Sequence, residues 1–304
     1  MRFPFLAAAT AAFALGASPA AAGKPVTRAM TCPIGGGSFQ FTTTASYSTF
    51  GERPDGKPYG SWTFPLAIPE CPDNGLVLYK DYTAEEIAKL EPLVASEAYQ
   101  ALRKQDTPYY RAYWLMKAMG LGPERYLVAL LQASWEAEAK PDLRKRYLAE
   151  LAEISGQVTP RPGDLNWIGM EGRAVNALRE LGRFDDAMAR LDKVPVAGLN
   201  VETPAGAGAS QEAVAQARIR RGWHNFFTAI RPVIARRDSS IEPLDLMPRS
   251  VAVGRCLEAA DKLDEAGRAY CTKESAAVEA LRKSRDKQAR ELEALQQSRE
   301  ASGR

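Results

Sequence analysis

The chain has 304 residues, with 40 Lys and Arg against 37 Asp and Glu and a single histidine. Without Arg2, the one cation in the signal segment described below, 39 positive side chains oppose 37 negative ones, a net charge of +2. This balance argues against nucleic acid or an acidic membrane surface as the main partner. Charged residues at 25% and hydrophobic residues at 45% are ordinary values for a globular chain, and the length suffices for one elongated domain or two compact ones.

The first 22 residues have the pattern of a secretory signal peptide. Arg2 precedes an uncharged run rich in Ala, Leu and Phe, and small residues of the A-x-A kind follow at Ala20–Ala22. We therefore expect cleavage near Ala22 and a periplasmic or secreted protein. An uncleaved membrane anchor is the alternative, since the run is about twenty residues long. The predominance of alanine and the interruption by Pro19 favour cleavage.

Two short segments resemble halves of a metal-binding knuckle. A zinc knuckle reads Cys-Pro-x-Cys-Gly, because two thiolates on one tight turn grip the ion. In TCPIGGGSFQF, Cys32 is followed by Gly35 where the second thiolate would be. In PECPDNGLVLY, Cys71 is followed by Asn74 at the same position. Each segment therefore keeps only its first thiolate.

Export decides what the two remaining thiols do. In an oxidising compartment a cysteine pair forms a disulfide, whereas the cytosol keeps thiols reduced. We expect a Cys32–Cys71 disulfide in place of the ion, and no metal or other cofactor. The alternatives are ordinary turns with buried thiols, or retained metal binding with too few ligands, because the lone His224 is remote in sequence.

Residues 23–82 are expected to form a small β module. Phe39, Phe41 and Thr43 alternate with period two, and Pro-Asp-Gly within 52–60 marks a turn between aromatic runs. Ser61–Leu66 and Leu76–Tyr79 are predicted as further strands. The disulfide would close this sheet.

Residues 83–271 are predicted to be helical. Thr83 with Glu86 forms a capping box, and Pro108, Pro123 and Pro141 begin further helices. Pro92 is expected to mark the end of the first helix or the start of the second. The repeating unit is helix, short turn, helix.

Two of these hairpins have the spacing of tetratricopeptide repeats. The first carries Leu178, Gly182, Phe184, Ala187, Leu191 and Pro195, and the second carries Gly254, Leu257, Leu263, Ala266 and Tyr270. We expect Leu178, Ala187, Gly254 and Ala266 to pack between helices. An irregular helical domain is the alternative, since the 34-residue period is incomplete.

The last two cysteines lie on opposite helices of the second hairpin. Cys256 and Cys271 are about equally far from the turn near Lys262 and Leu263, so antiparallel helices would bring them together. A second disulfide is expected, with two buried thiols as the alternative.

The order of these segments resembles the bacterial family termed domain of unknown function 2225. That family has two Cys-Pro-x-Cys-Gly knuckles followed by an aromatic and acidic stretch and then by tetratricopeptide-like helices. The matching positions are Cys32, Gly36, Cys71, Gly75, Tyr79 and Asp81. Gly35 and Asn74 depart from the family pattern. The resemblance implies a degenerate zinc ribbon before helical repeats, and the family has no established activity that could be carried over to this chain.

Catalytic motifs are weak in this sequence. His224 has no recognisable nucleophile nearby and is predicted to make a structural hydrogen bond. Gly35–Gly37 lack the Gly-Lys-Ser/Thr of a phosphate loop. The paired carboxylates at helix starts complement the helix dipole.

Two aromatic clusters are candidates for partner binding. One consists of Tyr110, Tyr113 and Trp114, of which Tyr113 and Trp114 are expected to be partly accessible. The other consists of Arg220, Arg221 and Trp223. Aromatic side chains with arginine are typical of recognition surfaces, but each cluster is equally typical of a solvated face backed by an aromatic core.

Residues 272–304 are predicted to form a polar helical tail. Ion pairs four residues apart support the helix. The apolar residues Val278, Leu281, Leu292 and Leu295 have the spacing of a short heptad seam, which Arg285 and Gln288 interrupt. A solvated helix is therefore favoured over a coiled coil.

The sequence favours an exported, non-enzymatic scaffold that binds a protein or peptide with its helical hairpins. The alternatives are a cell-envelope enzyme or enzyme subunit, with a site between the β module and the helices, and a metal-binding protein. We expect no nucleic-acid partner and no integral membrane segment after signal cleavage.

Overall fold

The computed structural model describes residues 23–205 and 208–302. The predicted signal peptide, residues 1–22, lies outside the described residues. The chain is mainly helical, and a small N-terminal β region that carries a disulfide precedes the helices. The predicted fold class is therefore confirmed at this level.

Two antiparallel hairpins make up the β region. Strands β1 (Pro25–Thr31) and β2 (Ser38–Thr44) form one, and strands β3 (Thr49–Glu52) and β4 (Pro58–Gly60) form the other. The predicted Pro-Asp-Gly turn joins β3 to β4. Its Gly56 has φ of 85°, in the left-handed region that glycine favours.

The single closed sheet predicted for this region is wrong. Ser61–Leu66 forms no strand, and Leu76–Tyr79 contributes one isolated bridge, between Val77 and Glu70. The physical reason is that helix side chains take backbone groups that a sheet would use. For example, the hydroxyl of Tyr109 donates to the Leu66 carbonyl at 2.8 Å.

Eleven α-helices follow in the described residues. They are α1 (Ala84–Ala95), α2 (Glu97–Gln105), α3 (Pro108–Ala118), α4 (Pro123–Glu136), α5 (Pro141–Gly156), α6 (Leu165–Glu180), α7 (Phe184–Leu191), α8 (Gln211–Ala235), α9 (Arg249–Glu258), α10 (Glu265–Lys273) and α11 (Ser275–Ala301). Short 3₁₀ turns occur at Val196–Leu199, Leu244–Leu246 and Ala260–Lys262.

The helix starts follow the predicted caps. Thr83 and Glu86 form the complete capping box, and Thr107 caps α3 before Pro108. Helix α1 continues through Pro92 to Ala95, because Leu90 and Val94 on either side of the proline are both buried. Ser96 then ends α1 and caps α2.

Consecutive helices from α3 to α8 pack against each other, and they form two hydrophobic cores. The first core, around α1–α5, also contains Cys32, Cys71 and Leu76 of the β region. The second core lies among α6, α7 and α8. The β region is thus part of the same packed body as the helices.

The first predicted repeat hairpin packs as expected, because Leu178 and Ala187 are both buried. In the second hairpin the prediction for Gly254 is wrong. A Cβ added to Gly254 would meet no atom within 4 Å, because Ala252, Val253 and Cys256 form the buried face of α9. Ala266 is half-buried. The tetratricopeptide register stays a prediction.

The tail forms the long helix α11, as predicted, and its N-terminal part packs on α9. Arg285 pairs with Glu258 of α9 at 2.8 Å, whereas Leu292 and Leu295 are exposed. Within residues 23–205 and 208–302, none of the helices has the length and apolar character needed to cross a membrane.

Candidate functional site: a groove between α4, α6 and α8

Of the tyrosine cluster predicted to bind a partner, Tyr113 is buried, whereas Tyr110 and Trp114 are half-buried. Tyr113 is 1% exposed, so the expectation that it is accessible is wrong. The hydroxyls of Tyr113 and Tyr110 both donate to the Glu150 carboxylate of α5, which provides a partner for their polar ends inside the protein. Burial, together with the Glu150 charge, raises the pKa of both tyrosines above the ordinary value.

Trp114 packs against a different tyrosine, from α2. Its ring centroid lies 5.8 Å from that of Tyr99 in α2, and the side chain is half-buried. Tyr110, Tyr113 and Trp114 therefore do not form one shared surface.

Trp223 of the second predicted cluster lies at the contact between α8 and α6. A Cβ on Gly169 would lie 3.2 Å from the Trp223 ring, and a Cβ on Gly172 would overlap it. The Arg173 guanidinium lies 5.1 Å from the ring centroid, in a cation–π contact. The missing side chains at two positions of α6 therefore make room for this indole.

The arginines of the same cluster bond to backbone carbonyls. Arg220 donates to the Gly163 carbonyl at 3.3 Å, and Arg221 donates to the Val201 carbonyl at 3.0 Å. Arg221 is thereby held on the side of α8 that faces residues 196–201, whereas Arg220 reaches the loop before α6. The sequence prediction placed all three residues on one surface, but of the three only Trp223 lines the cavity described next.

A cavity of about 650 Å³ lies between α4, α6 and α8. This volume is in the range of small-ligand and side-chain binding sites. Its apolar walls are formed by Leu127, Val128, Leu131, Leu151, Val158, Leu165, Trp167, Met170, Ile219 and Trp223; its polar residues are Glu124, Arg161, Asp164, Asn166 and Arg173, and Gly169 completes the lining.

Two exposed apolar side chains belong to this lining, one from each outer helix. Val128 of α4 is 55% exposed, and Ile219 of α8 is 49% exposed. Large apolar side chains at such exposure are uncommon in the described residues, and these two adjoin the same cavity. Apolar surface around a concavity is typical of binding sites.

Trp167, which lines this cavity and also another between α5, α6 and α7, carries a buried donor without a partner. Trp167 is 5% exposed, and its indole Nε1–H has no hydrogen-bond partner among the described residues. Buried polar groups of native proteins are nearly always hydrogen-bonded, so such a donor is a position at which an acceptor from a ligand would be stabilised.

A second cavity, of about 350 Å³, continues along α8. It shares Arg173, Ile219 and Trp223 with the first, and its far wall is formed by the tip of the β3–β4 hairpin, including Glu52 and Pro54. We use the name groove for the two cavities together. Arg173 fixes the hairpin there by donating to the Pro54 carbonyl and to Glu52, both at 2.8 Å.

The rest of the hairpin tip is buried in an ion network. Asp55 accepts from Arg53 and from Arg144 of α5, at 2.6 and 3.2 Å, and Arg144 also pairs with Glu180 of α6 at 2.6 Å. Burial by itself raises the pKa of Asp55, but the hydrogen bonds and charges of the two arginines outweigh burial and hold that pKa below its ordinary value. Burial raises the pKa of Glu180.

This network lies between the β region and the helices, where the sequence left an enzyme site as an alternative. Its carboxylates bond to the neighbouring arginines, to the Lys57 backbone and to Asn176. The arrangement therefore anchors the hairpin, and among the described residues the carboxylates of Asp55 and Glu180 both have basic partners.

The two half-knuckles have the same backbone geometry. The Cys32 and Cys71 carbonyls accept from Gly36 and Gly75, with φ of 71° and 76°, and the two cysteine N–H groups donate to Gly37 and Leu76. The predicted disulfide joins Cys32 to Cys71, with Cα atoms 5.6 Å apart. Among the described residues no group of three or more His, Cys, Asp or Glu is placed to hold a metal.

The predictions for the second cysteine pair and for His224 are also confirmed. Cys256 and Cys271 form a second disulfide, with Cα atoms 5.4 Å apart. The ring nitrogen Nδ1 of His224 lies 3.0 Å from the Val196 carbonyl oxygen, in a structural hydrogen bond.

Val128, Trp167, Arg173 and Ile219 were missed by sequence reasoning. Only Ile219 has a signal in the sequence, since it is an aliphatic residue between Arg218 and Arg220. The exposure of Val128 and the unpartnered indole of Trp167 are properties of helix packing.

No protein-family model, curated protein or solved structure significantly matches the chain. The resemblance to the family of domain of unknown function 2225 stays a prediction.

Proposed function

We propose that this chain is an exported binding protein without catalytic activity, and that its groove between α4, α6 and α8 holds a segment of another protein or a peptide. The observation that carries the proposal is the groove itself. It is a mostly apolar concavity with Val128 and Ile219 exposed at its two sides, and its lining includes Trp167, whose buried indole N–H is unpartnered among the described residues.

Concave surfaces between packed helices commonly bind extended peptides, because a row of helices presents a long trough that is already formed before binding. The consecutive packing of α3 to α8 supports this reading. The two disulfides support export to the periplasm or the medium, because such bonds persist in oxidising compartments.

The binding part is tested by selecting random displayed peptides on the immobilised full chain. We expect enriched peptides to bind the natural chain and to lose binding to the double variant V128D/I219D, because a carboxylate at either side of the groove opposes apolar burial. The double variant L292D/L295D is the matched control, since Leu292 and Leu295 are 60% and 58% exposed and belong to α11. Peptides that bind all three proteins equally, or no enrichment at all, would refute the proposal.

The export part is tested by N-terminal sequencing of the protein recovered from the periplasm or the medium. We expect a mature chain that begins at or near Gly23, because small residues precede it. A cytosolic chain that still starts at Met1 would contradict export.

A further inference from the structure

The hairpin of β1 and β2 forms a sheet of two strands, so each strand has one edge that faces no other strand. Backbone bonds join Lys24 to Ala45 and Cys32 to Gly37 at the two ends of the register. Between these ends, alternate residues of an antiparallel pair bond to the opposite strand. In β1 the row that faces β2 is therefore Val26, Arg28 and Met30, and the outward row is Thr27, Ala29 and Thr31.

The backbone N–H and C=O groups of Thr27, Ala29 and Thr31 point away from β2. No residue in the described parts of the chain forms a hydrogen bond with these groups. An edge of this kind is a template for a further strand, because each free donor and acceptor lies where a neighbouring strand would bond.

The features that protect edge strands are found in the other hairpin. Strands β3 and β4 are four and three residues long, their register is irregular, and Pro58 begins β4. Strand β1 has seven residues in continuous register with β2, with Pro25 at its first position and Arg28 as its one charged residue. A long, regular and nearly uncharged edge lacks the features that keep other strands away.

The packing of the hairpin distinguishes the edge of β1 from that of β2. Phe39 of β2 packs against the first core, and Phe41 is half-buried. Arg28, which stands opposite Phe41 in the register, is exposed. The body of the protein therefore lies under β2, and a strand added beside β1 has room on both of its faces.

Arg28 gives this edge a preference for an acidic side chain. It belongs to the row that bonds to β2, so it would form a non-hydrogen-bonded pair with a residue of an antiparallel strand on its other side. Opposing side chains lie closest in such pairs, and opposite charges there are favourable. Val26 and Met30, two positions to either side, are half-buried apolar residues, which favours apolar residues next to them in the added strand.

A second copy of this chain fits the edge less well. The antiparallel self-pairing that uses all of β1 is centred on Arg28, and it places the two copies of this arginine directly opposite each other. Like charges in that position are destabilising. A different chain with a carboxylate there has the opposite effect.

We infer that the free edge of β1 binds an extended segment of another protein, which adds an antiparallel strand and carries an acidic residue opposite Arg28 with apolar residues two positions before and after it. This surface is separate from the groove and goes beyond the proposed function. Main-chain hydrogen bonds supply affinity in this mode of recognition, and alternate side chains supply specificity.

The test uses the ¹⁵N-labelled full chain and the peptide Thr-Val-Thr-Glu-Thr-Val-Thr, with amide hydrogen exchange measured by NMR. We expect saturating peptide to slow exchange of the Thr27, Ala29 and Thr31 N–H groups by at least about tenfold, because each gains an acceptor. The outward N–H groups on the opposite edge, those of Ser38, Gln40 and Thr42, should keep their rates.

Modified peptides separate strand addition from other modes of binding. Methylation of the backbone nitrogen of the third or fifth peptide residue removes a donor that faces β1, and should weaken binding at least about tenfold. Methylation at the fourth residue, whose N–H faces away, should weaken binding less than about threefold. Replacing the central Glu of the peptide with Lys should weaken binding at least about twofold.

Ala29 and Gln40 are direct cross-strand neighbours and give matched variants. A29P removes an outward N–H from the edge of β1, and Q40P removes one from the edge of β2, whereas neither removes a bond between the two strands. We expect A29P to weaken binding of the peptide at least about tenfold and Q40P to leave it unchanged. The NMR signals of β1 and β2 verify that the hairpin is intact in each variant.

Several outcomes would overturn the inference. These are an unchanged exchange rate along β1, equal effects of A29P and Q40P, and equal effects of methylation at the third and fourth peptide residues. Loss of binding in V128D/I219D would assign the peptide to the groove instead. A dimer in sedimentation experiments without peptide, dissociated by A29P, would assign the edge to a second copy of this chain.

Discussion

The Asn74 side chain joins the two half-knuckles across their interface. Its Nδ2 donates to the Ile34 carbonyl at 2.9 Å, and its Oδ1 accepts from the Leu76 N–H at 2.9 Å. Asn74 stands where a zinc knuckle would have its second thiolate. The amide therefore takes over part of the cross-linking role of a ligand, with hydrogen bonds in place of metal bonds.

Replacing Asn74 with Ala should destabilise the β region by about 1 to 3 kcal/mol, because the Ile34 carbonyl and the Leu76 N–H both lose a partner. Urea unfolding followed by circular dichroism measures the loss. Asp73→Ala is the control, since the neighbouring Asp73 is exposed and should change stability by less than about 0.5 kcal/mol. Equal effects at both positions would contradict the role of Asn74.

Removing the Cys32–Cys71 bond with the pair C32S/C71S should cost roughly 4 kcal/mol, as the chain-entropy model gives for the 39-residue separation. The corresponding value for the 15-residue separation of Cys256 and Cys271 is roughly 3 kcal/mol. Most of the helical signal should survive in C32S/C71S. Thermal unfolding of each variant under non-reducing conditions tests this order.

The same bond predicts that the purified protein holds no stoichiometric zinc. Mass spectrometry of the non-reduced chain should find Cys32 linked to Cys71, and elemental analysis should find less than one zinc per chain. One zinc with both thiols reduced would show that the region is a true zinc ribbon.

The hairpin ion network makes stability depend on pH. Because the folded pKa of Asp55 is lowered, its contribution is complete above the unfolded pKa of about 3.9 and is lost as pH falls toward the folded value. Asp55→Asn should weaken this acid-side loss, and should cost about 3 to 5 kcal/mol at neutral pH because Arg53 and Arg144 lose their buried partner.

The contribution of Glu180 to stability depends on pH in the opposite direction to that of Asp55. Its folded pKa is raised, so its carboxyl contributes most stability at low pH and loses that contribution as pH rises through the folded value. Glu180→Gln should therefore steepen the net loss of stability toward acid, whereas Asp55→Asn flattens it. Urea midpoints measured from pH 3 to 7 for both variants distinguish them, and parallel curves would contradict the network.

Trp167 and Trp135 allow a matched test of the unpartnered indole. Both are buried, and in both the Nε1–H has no partner among the described residues, but only Trp167 lines the groove. Trp167→Phe should weaken binding of the peptides selected on the natural chain by roughly 2- to 10-fold, the value of one hydrogen bond. Trp135→Phe should leave that affinity unchanged, as measured by anisotropy.

Two helical glycines should respond in opposite ways to the same substitution. Gly172→Ala places a methyl group against Trp223 and should cost about 1 to 3 kcal/mol by overpacking. A Cβ on Gly222 of α8 meets no atom within 4 Å, so Gly222→Ala should stabilise the chain by about 0.5 to 1 kcal/mol through helix propensity. Thermal denaturation of the two variants tests this prediction.

Features determined by nearby residues were predictable from the sequence. The knuckle turns, the capping box at Thr83 and the pairing of Cys256 with Cys271 depend on residues close in sequence or on one helical hairpin. The Cys32–Cys71 pair was predictable despite its separation, because each knuckle carries its own sequence pattern.

The groove was not predictable, because it depends on how distant helices pack. In the sequence Val128 and Ile219 are ordinary aliphatic residues of two helices. Only the packing of α4 and α8 places both at the same cavity. Tyr113 looked like a surface residue because no local pattern shows that Glu150 will accept its hydroxyl. The Pro-Asp-Gly turn was predicted, but its burial depends on Arg144 and Glu180, which lie 89 and 125 positions after Asp55.

The hairpin tip pairs with residues that lie far along the chain, and this separation also sets an order of events during synthesis and export. The ribosome adds Arg53 and Asp55 long before their partners Glu138, Arg144 and Glu180. The two early charged side chains therefore remain solvated until those partners have been made. Cys71 is made 39 positions after Cys32, but in the proposed exported protein their bond closes only in the oxidising compartment. The ion network of the hairpin tip can therefore be completed only when α6 has been made, and the covalent bond of the N-terminal region follows on export.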